Sequence, residues 1–382
     1  FGSRNTPCKH KAELKIQNTT MNLFPSLTER YTREQLSARE AQRLAEFIAW
    51  APVVFQVSRL MKKFGILSAL NEARDGLSIE GIAKKLSLSE YAVKLLLESS
   101  LSIGTVLLCG EKFRLSKAGY FLLTDEMVDV DMDFIHDVCY EGLFRLEETL
   151  KSGKPEGLKV FGQWATIYEA LSHLPPHVRK SWLAFDHFYS DLAFEPALKI
   201  IFSRKTAKIL DVGGNTGRFA KRCVGYDENV RVTIMDLAGQ ISMMKDAVAG
   251  AKGAERIDGL AADLLDAATR FPRGFDAIWL SQFLDCFAEE QIVSILARAA
   301  ESMSAEARLY ILEPFWDRQR YETAAYSMTQ ISVYFAAMAN GNSKIYHSDD
   351  MIKFAQRAGL KISQIHDGLG VGHTLLCCER AR

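Results

Sequence analysis

The chain has 382 residues, 48% hydrophobic and 25% charged, with Lys+Arg and Asp+Glu both at 47. That balance leaves no global basic field to attract nucleic acid or an anionic membrane, and the length suits two domains. No uninterrupted apolar run reaches the roughly 18 residues of a spanning helix, no signal peptide is expected, and seven cysteines lack metal-type spacing. A cytoplasmic protein with reduced thiols, no metal and no membrane contact is expected.

Residues 1–20 are polar and aperiodic and read as a tail, with Met21 a candidate start. Residues 33–70 read as helices: Leu44, Phe47 and Ile48 recur at helical spacing, and Pro52 should break the run. From Val53 to Leu70 apolar residues crowd more than one side, the pattern of a helix that packs on another helix or another chain. Residues 76–123 read as helix, tight turn, helix, then strand, Cys109-Gly110 turn, strand, with Ser78 and Ser89 as N-caps. This is a winged-helix pattern, yet Leu77 to Lys117 holds six Lys/Arg against four Asp/Glu. That is a thin phosphate-binding surface, which favours a packing module over a DNA reader. The first folded unit is therefore placed at 21–124 and a helical connector at 125–203. The connector is punctuated at 151–159 and at Pro175-Pro176, and its aromatic stretch 181–202 is either a core helix or the wall of a flat apolar pocket.

From Lys205 the chain alternates strand, loop and helix. AKILDVGG, VRVTIMDL, IDGLAADL, FDAIWLSQ and ARLYILEP are five short apolar strands, and LKISQIHD and TLLCCER add two more. Such alternation implies a doubly wound α/β sheet over 204–382, with ligands beyond the carboxyl ends of its strands. The first strand ends in ILDVGGNTGRF, where Gly213, Gly214 and Gly217 cannot fill the dinucleotide spacing Gly-x-Gly-x-x-Gly. The pattern that fits runs from Asp211 through Gly213 to Gly217, with Asn215 at a glycine position that tolerates a left-handed backbone. Asp236 closes the second strand, where a carboxylate can accept both ribose hydroxyls; Leu237 follows it. Asp263 and Leu264 close the third, placed to accept from an exocyclic adenine amine. No P-loop Lys is present. A nucleoside cofactor is the reading.

At this point the chain resembles the S-adenosylmethionine-dependent small-molecule O-methyltransferases of the caffeate, hydroxyindole and bacterial polyketide type, over roughly residues 35–382. The resemblance rests on the glycine loop, the winged-helix front end and the FLDCF segment. It implies a Rossmann-like catalytic sheet, S-adenosyl-L-methionine as cofactor, a small-molecule acceptor, and a homodimer formed through the front end. It implies that Gly213 contacts the methionine part, Asp236 the ribose, and Asp263 and Leu264 the adenine. Ser281, beside Gln282, stands where many plant members carry a cofactor-contacting Lys, and Phe287 where an aromatic packs on adenine. Phe185 and Tyr189 match the helix that covers methyl group and acceptor. Asp285 stands where the family has its catalytic His, Cys286 where it has an acid or amide, and Glu313 where a Glu flanks that His. A second flanking Glu is expected near GNSKIYHS, where this chain has Lys344 or Ile345.

The cofactor half of the expected site therefore matches and the acid–base half departs. An ordinary Asp, near pKa 3.9, is a weak base toward a phenol near 10, but burial among Phe283, Leu284 and Phe287 would raise it. Four readings stay open: Asp285 as a modified base or orienter, transfer that needs no base, cofactor binding without transfer, and a DNA-binding ligand sensor. Methylation of an aromatic or polyketide-like molecule, at oxygen ahead of carbon or nitrogen, is the reading adopted. His187 on the aromatic helix either faces the pocket or lies on the surface; His347 should cap a helix; Met243 and Met244 should pack in the core; His373 has no assigned role.

Overall fold

The computed structural model describes residues 24–381, so the expected tail and Met21 lie outside the described residues. The N-terminal part is helical. Ser37 forms a capping box with Glu40, its amide donating to the Glu40 carboxylate at 2.8 Å, and starts the helix Ala38–Lys63. That helix runs through Pro52, contrary to the expected break. Proline removes one helical hydrogen bond, a cost that 26 capped residues absorb, and the Pro52 carbonyl accepts from the Tyr140 hydroxyl at 3.1 Å. The helix is long and apolar enough to cross a membrane by length and composition. Its charged residues sit toward the two ends and leave 47–58 uncharged. Leu44, Ile48, Trp50 and Val53 are exposed along it.

The helices Ile79–Leu86 and Glu90–Ile103 begin at Ser78 and Ser89, whose hydroxyls accept from Gly81 and Ala92 amides at 3.1 Å each. A hairpin of β1 (Val106–Cys109) and β2 (Lys112–Leu115) follows. Met61, Leu67, Leu70, Ile82, Val93, Leu97 and Phe113 pack together as the core of these elements.

The C-terminal sheet contains β3 (Lys208–Val212), β4 (Arg231–Asp236), β5 (Ile257–Ala261), β6 (Ala277–Ser281), β7 (Arg308–Glu313), β8 (Leu360–Leu369) and β9 (His373–Arg380). Their order is β5-β4-β3-β6-β7-β9-β8. The first five are parallel, and β9 runs antiparallel between β7 and β8. Side chains alternate between faces: Leu210, Val212, Ile278 and Leu280 pack on one layer, Ile209, Val232, Ile234 and Trp279 on the other. Strand order reverses at β3, which opens a crevice at the carboxyl ends of β3, β4 and β6. A third cluster joins the connector to the helix after β7. Phe134, Val138 and Trp182 meet Tyr334, Phe335 and Met338 there, forming a wall above the crevice.

Candidate active site

A cavity of about 410 Å³ occupies that crevice, bounded by strand ends below and by the helix Pro176–Ile201 and its neighbours above. The glycine loop makes its floor. Gly213 has φ 72°, and a Cβ there would lie 2.2 Å from the Phe283 ring, so both backbone and space require glycine. Asn215 has φ 47°, the left-handed conformation expected at that position. The Asp236 carboxylate is fixed from both sides, accepting from the Asn215 amide at 2.9 Å and the Leu237 amide at 2.7 Å. Burial still pushes it up to about 6.

Asp211, Gly213, Gly214, Asp236, Leu237, Asp263, Leu264, Ser281, Gln282, Phe287, Asp285, Phe185 and His187 all line this cavity. Three sequence candidates do not. Gly217 instead lets the helix Arg218–Tyr226 approach the sheet, since a Cβ there would sit 3.0 Å from Val248 and 3.2 Å from Ile234. Tyr189 turns away and donates to Asp131 at 2.8 Å, although the equivalent turn of helix at Phe185 faces the cavity. Glu313 lies behind the site, 2% exposed, where one oxygen accepts from the Phe283 and Leu284 amides at 3.1 and 2.8 Å. Its carboxyl is pushed well above the usual range by burial and by Asp285.

Asp285 belongs to the short turn Leu284–Cys286 rather than to a helix cap. It is 5% exposed, and burial pushes it up to about 7, with Asp186 adding to the rise. The Cys286 thiol donates to its Oδ1 at 3.4 Å. No carboxylate appears at the second flanking position: Ile345 is buried and Lys344 is exposed, lying over the Tyr346 ring. Asn340 takes part instead, donating through Nδ2 to the Cys286 carbonyl.

The sequence reading missed several cavity residues. Asp186, pushed to about 7 by burial, accepts from Asn215 Nδ2 at 3.5 Å. Tyr168, Trp182 and Tyr334 supply the aromatic wall, and Trp182 donates to the Tyr334 hydroxyl at 2.7 Å. Gln282 holds φ 45°, costly for a side-chain-bearing residue, and its amide oxygen meets His373 Nε2 at 3.0 Å. His373 is buried and pushed down to about 4, so it is neutral and donates there. His347 caps Ser348–Arg357 as expected, accepting from the Asp349 amide at 3.1 Å, and Met244 packs in the core.

The donor and acceptor set fits a nucleoside cofactor with an amino-acid tail. Asp211 Oδ2, Asn215 Oδ1 and Ser281 Oγ are buried around the floor with no hydrogen-bond partner among the described residues, so they await one. Parallel sheet, glycine floor and strand-end carboxylates together define a Rossmann-like fold with a nucleoside-type site at its switch point.

Residues 143–361 match the O-methyltransferase domain, and the chain belongs to that family. Residues 42–113 match the Dimerisation2-like domain. A similar protein is the L-tyrosine C(3)-methyltransferase of Streptomyces lavendulae, 23% identical over 73% of this chain and 76% of that one. Among solved structures, the S-adenosylmethionine-dependent methyltransferase SibL is similar with a TM-score of 0.67, at 22% identity over 88% of this chain and 98% of that one. The O-methyltransferase NcsB1, solved with S-adenosylmethionine and 2-hydroxy-5-methyl naphthoic acid, aligns with a TM-score of 0.63 at 16% identity, over 85% and 95% of the two chains.

Proposed function

We propose that this chain methylates a phenolic aromatic small molecule, at the hydroxyl oxygen, with Asp285 taking the hydroxyl proton. The observation that carries the reading is Asp285 itself, a carboxylate 5% exposed, made more basic by burial and lining a cavity with an aromatic wall. S-adenosylmethionine, when bound, supplies a methyl group on sulfur for in-line displacement. The chain's own residues align and protect that event. Asp236 would hold the ribose, Asp263 and Leu264 the adenine with Phe287 packed on it, and the Gly213 backbone the methionine end. Asp211, Gly214, Leu237, Ser281 and Gln282 complete the floor, and Phe185 and His187 form part of the roof. At the acceptor end Asp285 would take the O–H proton while the oxygen accepts the methyl group that the cofactor would supply, the sulfur–methyl bond breaking to give S-adenosylhomocysteine. A base at about 7 facing a phenol near 10 must bridge about 3 units, roughly 4 kcal/mol. Exclusion of water and alignment offset much of that.

A second reading places the methyl on the ring carbon next to the hydroxyl. The similarity to an L-tyrosine C(3)-methyltransferase favours it. The same proton removal serves both, because a phenolate carries electron density on oxygen and on the adjacent carbons. Carbon transfer then requires loss of the ring proton as well.

We further read the exposed apolar stripe of Ala38–Lys63 as the homodimer contact, in keeping with the Dimerisation2-like match. The winged-helix unit up to 124, the connector 125–203 and the catalytic unit from 204 remain the division adopted. A cytoplasmic setting suits its free thiols. The test is incubation with S-adenosylmethionine and a panel of phenols, benzoates and anilines, read by mass. A one-methyl gain confined to phenols supports the proposal; gain only on benzoates or anilines refutes it.

A further inference from the structure

The short helix Ile167–Ala170 places Tyr168, a residue the proposed reaction has not yet used, in the cavity lining. Tyr168 Oη is closed to solvent and has no oxygen or nitrogen partner among the described residues, and the Cys286 sulfur beside it is its weak acceptor. The charged and polar groups that act on it are the Cys286 thiol, the Tyr334 hydroxyl and the Asp285 carboxylate, all in the cavity lining. A thiol sulfur is at best a weak acceptor, so a strong donor is left unmet. Buried donors left unmet are costly, and one aimed into a ligand cavity marks where a ligand's acceptor belongs.

Both ends of this arrangement are held. The Tyr168 peptide carbonyl accepts from Gln240 Nε2 at 3.4 Å, which ties it to the helix that follows Asp236. The Cys286 carbonyl accepts from Asn340 Nδ2, and the Cys286 thiol donates to Asp285 Oδ1. Burial pushes the Tyr168 hydroxyl well above its ordinary value, helped by Cys286, Tyr334 and Asp285, so it stays protonated. Burial and Asp285 likewise keep Cys286 a thiol. Tyr168 is thus a donor throughout the neutral range and not a base.

We propose that Tyr168 determines acceptor specificity: its hydroxyl donates to the acceptor's phenolic oxygen as Asp285 takes that oxygen's proton, with Cys286 holding the carboxylate in orientation. The proposal rests on the phenolic reading given above. It explains how a carboxylate copes with an acceptor that is a much weaker acid. A hydrogen bond that strengthens as the oxygen becomes negative lowers the acceptor's own pKa inside the cavity. It also selects the substrate class. A carboxylate acceptor would meet Asp285 and Asp186 as like charges, whereas a phenol arrives neutral and hands over its proton.

The test uses the full chain with S-adenosylhomocysteine and 4-nitrophenol, whose ionisation is visible by absorbance, with 4-nitroanisole as the matched probe lacking a hydroxyl. In Tyr168→Phe the bound 4-nitrophenol is expected to ionise about one pH unit higher and its anion to bind about tenfold more weakly. Binding of 4-nitroanisole should be equal in both proteins, which reports an intact pocket. Equal ionisation midpoints, or equal weakening of both probes, overturns the proposal. So does failure of the wild-type protein to bind 4-nitrophenol. The Asp285 reading fails separately: Asp285→Asn that leaves methylation and its pH profile untouched removes the base, yet the Tyr168→Phe difference in phenol ionisation would stand.

Discussion

Replacing Asp285 by Asn keeps the shape of the Leu284–Cys286 turn and removes the proton acceptor. The expected magnitude follows from the carboxylate's position near pH 7. Without a base, only phenol already ionised can react, which at pH 7 is about one part in a thousand for a phenol near 10. Single-turnover transfer to such a phenol should fall by about a hundred- to ten-thousandfold, the range typical of general-base removal. The loss should shrink toward nothing for phenols that ionise near pH 7, since these need no base. In the wild type the rate should climb as pH rises through about 7 and then level, because Asp285 acts only when ionised. S-adenosylmethionine affinity, measured by calorimetry on the same preparations, should hold. A uniform loss across all phenols, or full activity with the least acidic ones, would refute the role given to Asp285.

Asp236→Ala removes the carboxylate that spans the Asn215 and Leu237 amides, so titration with S-adenosylmethionine should show no measurable binding; unchanged affinity would contradict the cofactor site. Gly213→Ala must place a methyl group against the Phe283 ring at φ 72°, and thermal melting should show a loss of at least about 2 kcal/mol. Stability should also depend on pH in a definite direction. The Asp211, Asp186 and Asp285 carboxyls are raised by burial to about 8, 7 and 7. Their neutral forms therefore favour the fold fully below about pH 4, and that contribution is lost as pH rises through 7 to 8. Denaturant midpoints of the cofactor-free protein should fall between pH 5 and 8, and a rise would contradict these environments. Ile48→Asp combined with Trp50→Asp should convert a dimer to a monomer in light scattering, since both side chains are more than half exposed on the apolar helix.

The sheet and the glycine-loop floor of the cavity were legible because their signals are local. A strand-end carboxylate such as Asp236, or a glycine such as Gly213, announces its position within a few residues of sequence. Asn215 was readable for the same reason, as its left-handed backbone depends only on the loop. The acceptor end was not. Tyr168, Asp186, Asn340 and His373 come from four separate segments, and only tertiary packing of the connector against the helix after β7 brings the first three to the cavity. Tyr189 shows the same gap on a single helix. Its spacing from Phe185 suggests a shared face, but Asp131 on a neighbouring helix captures its hydroxyl. Gly217 was read as a ligand contact when its space is taken up by Val248 and Ile234. Pro52 was read as a break because one lost hydrogen bond is visible in sequence, while the capping and length that offset it are judged only over the whole helix.

The most direct measurement supplies S-adenosylmethionine carrying a carbon-13 methyl group, together with a phenol, and follows the label by NMR. The account predicts that the label leaves the cofactor and appears on the phenol as a methoxy signal, or as an aryl methyl signal under the second reading. S-adenosylhomocysteine should form in equal amount. Label that remains on the cofactor for every phenol offered, while the cofactor still binds, would contradict it.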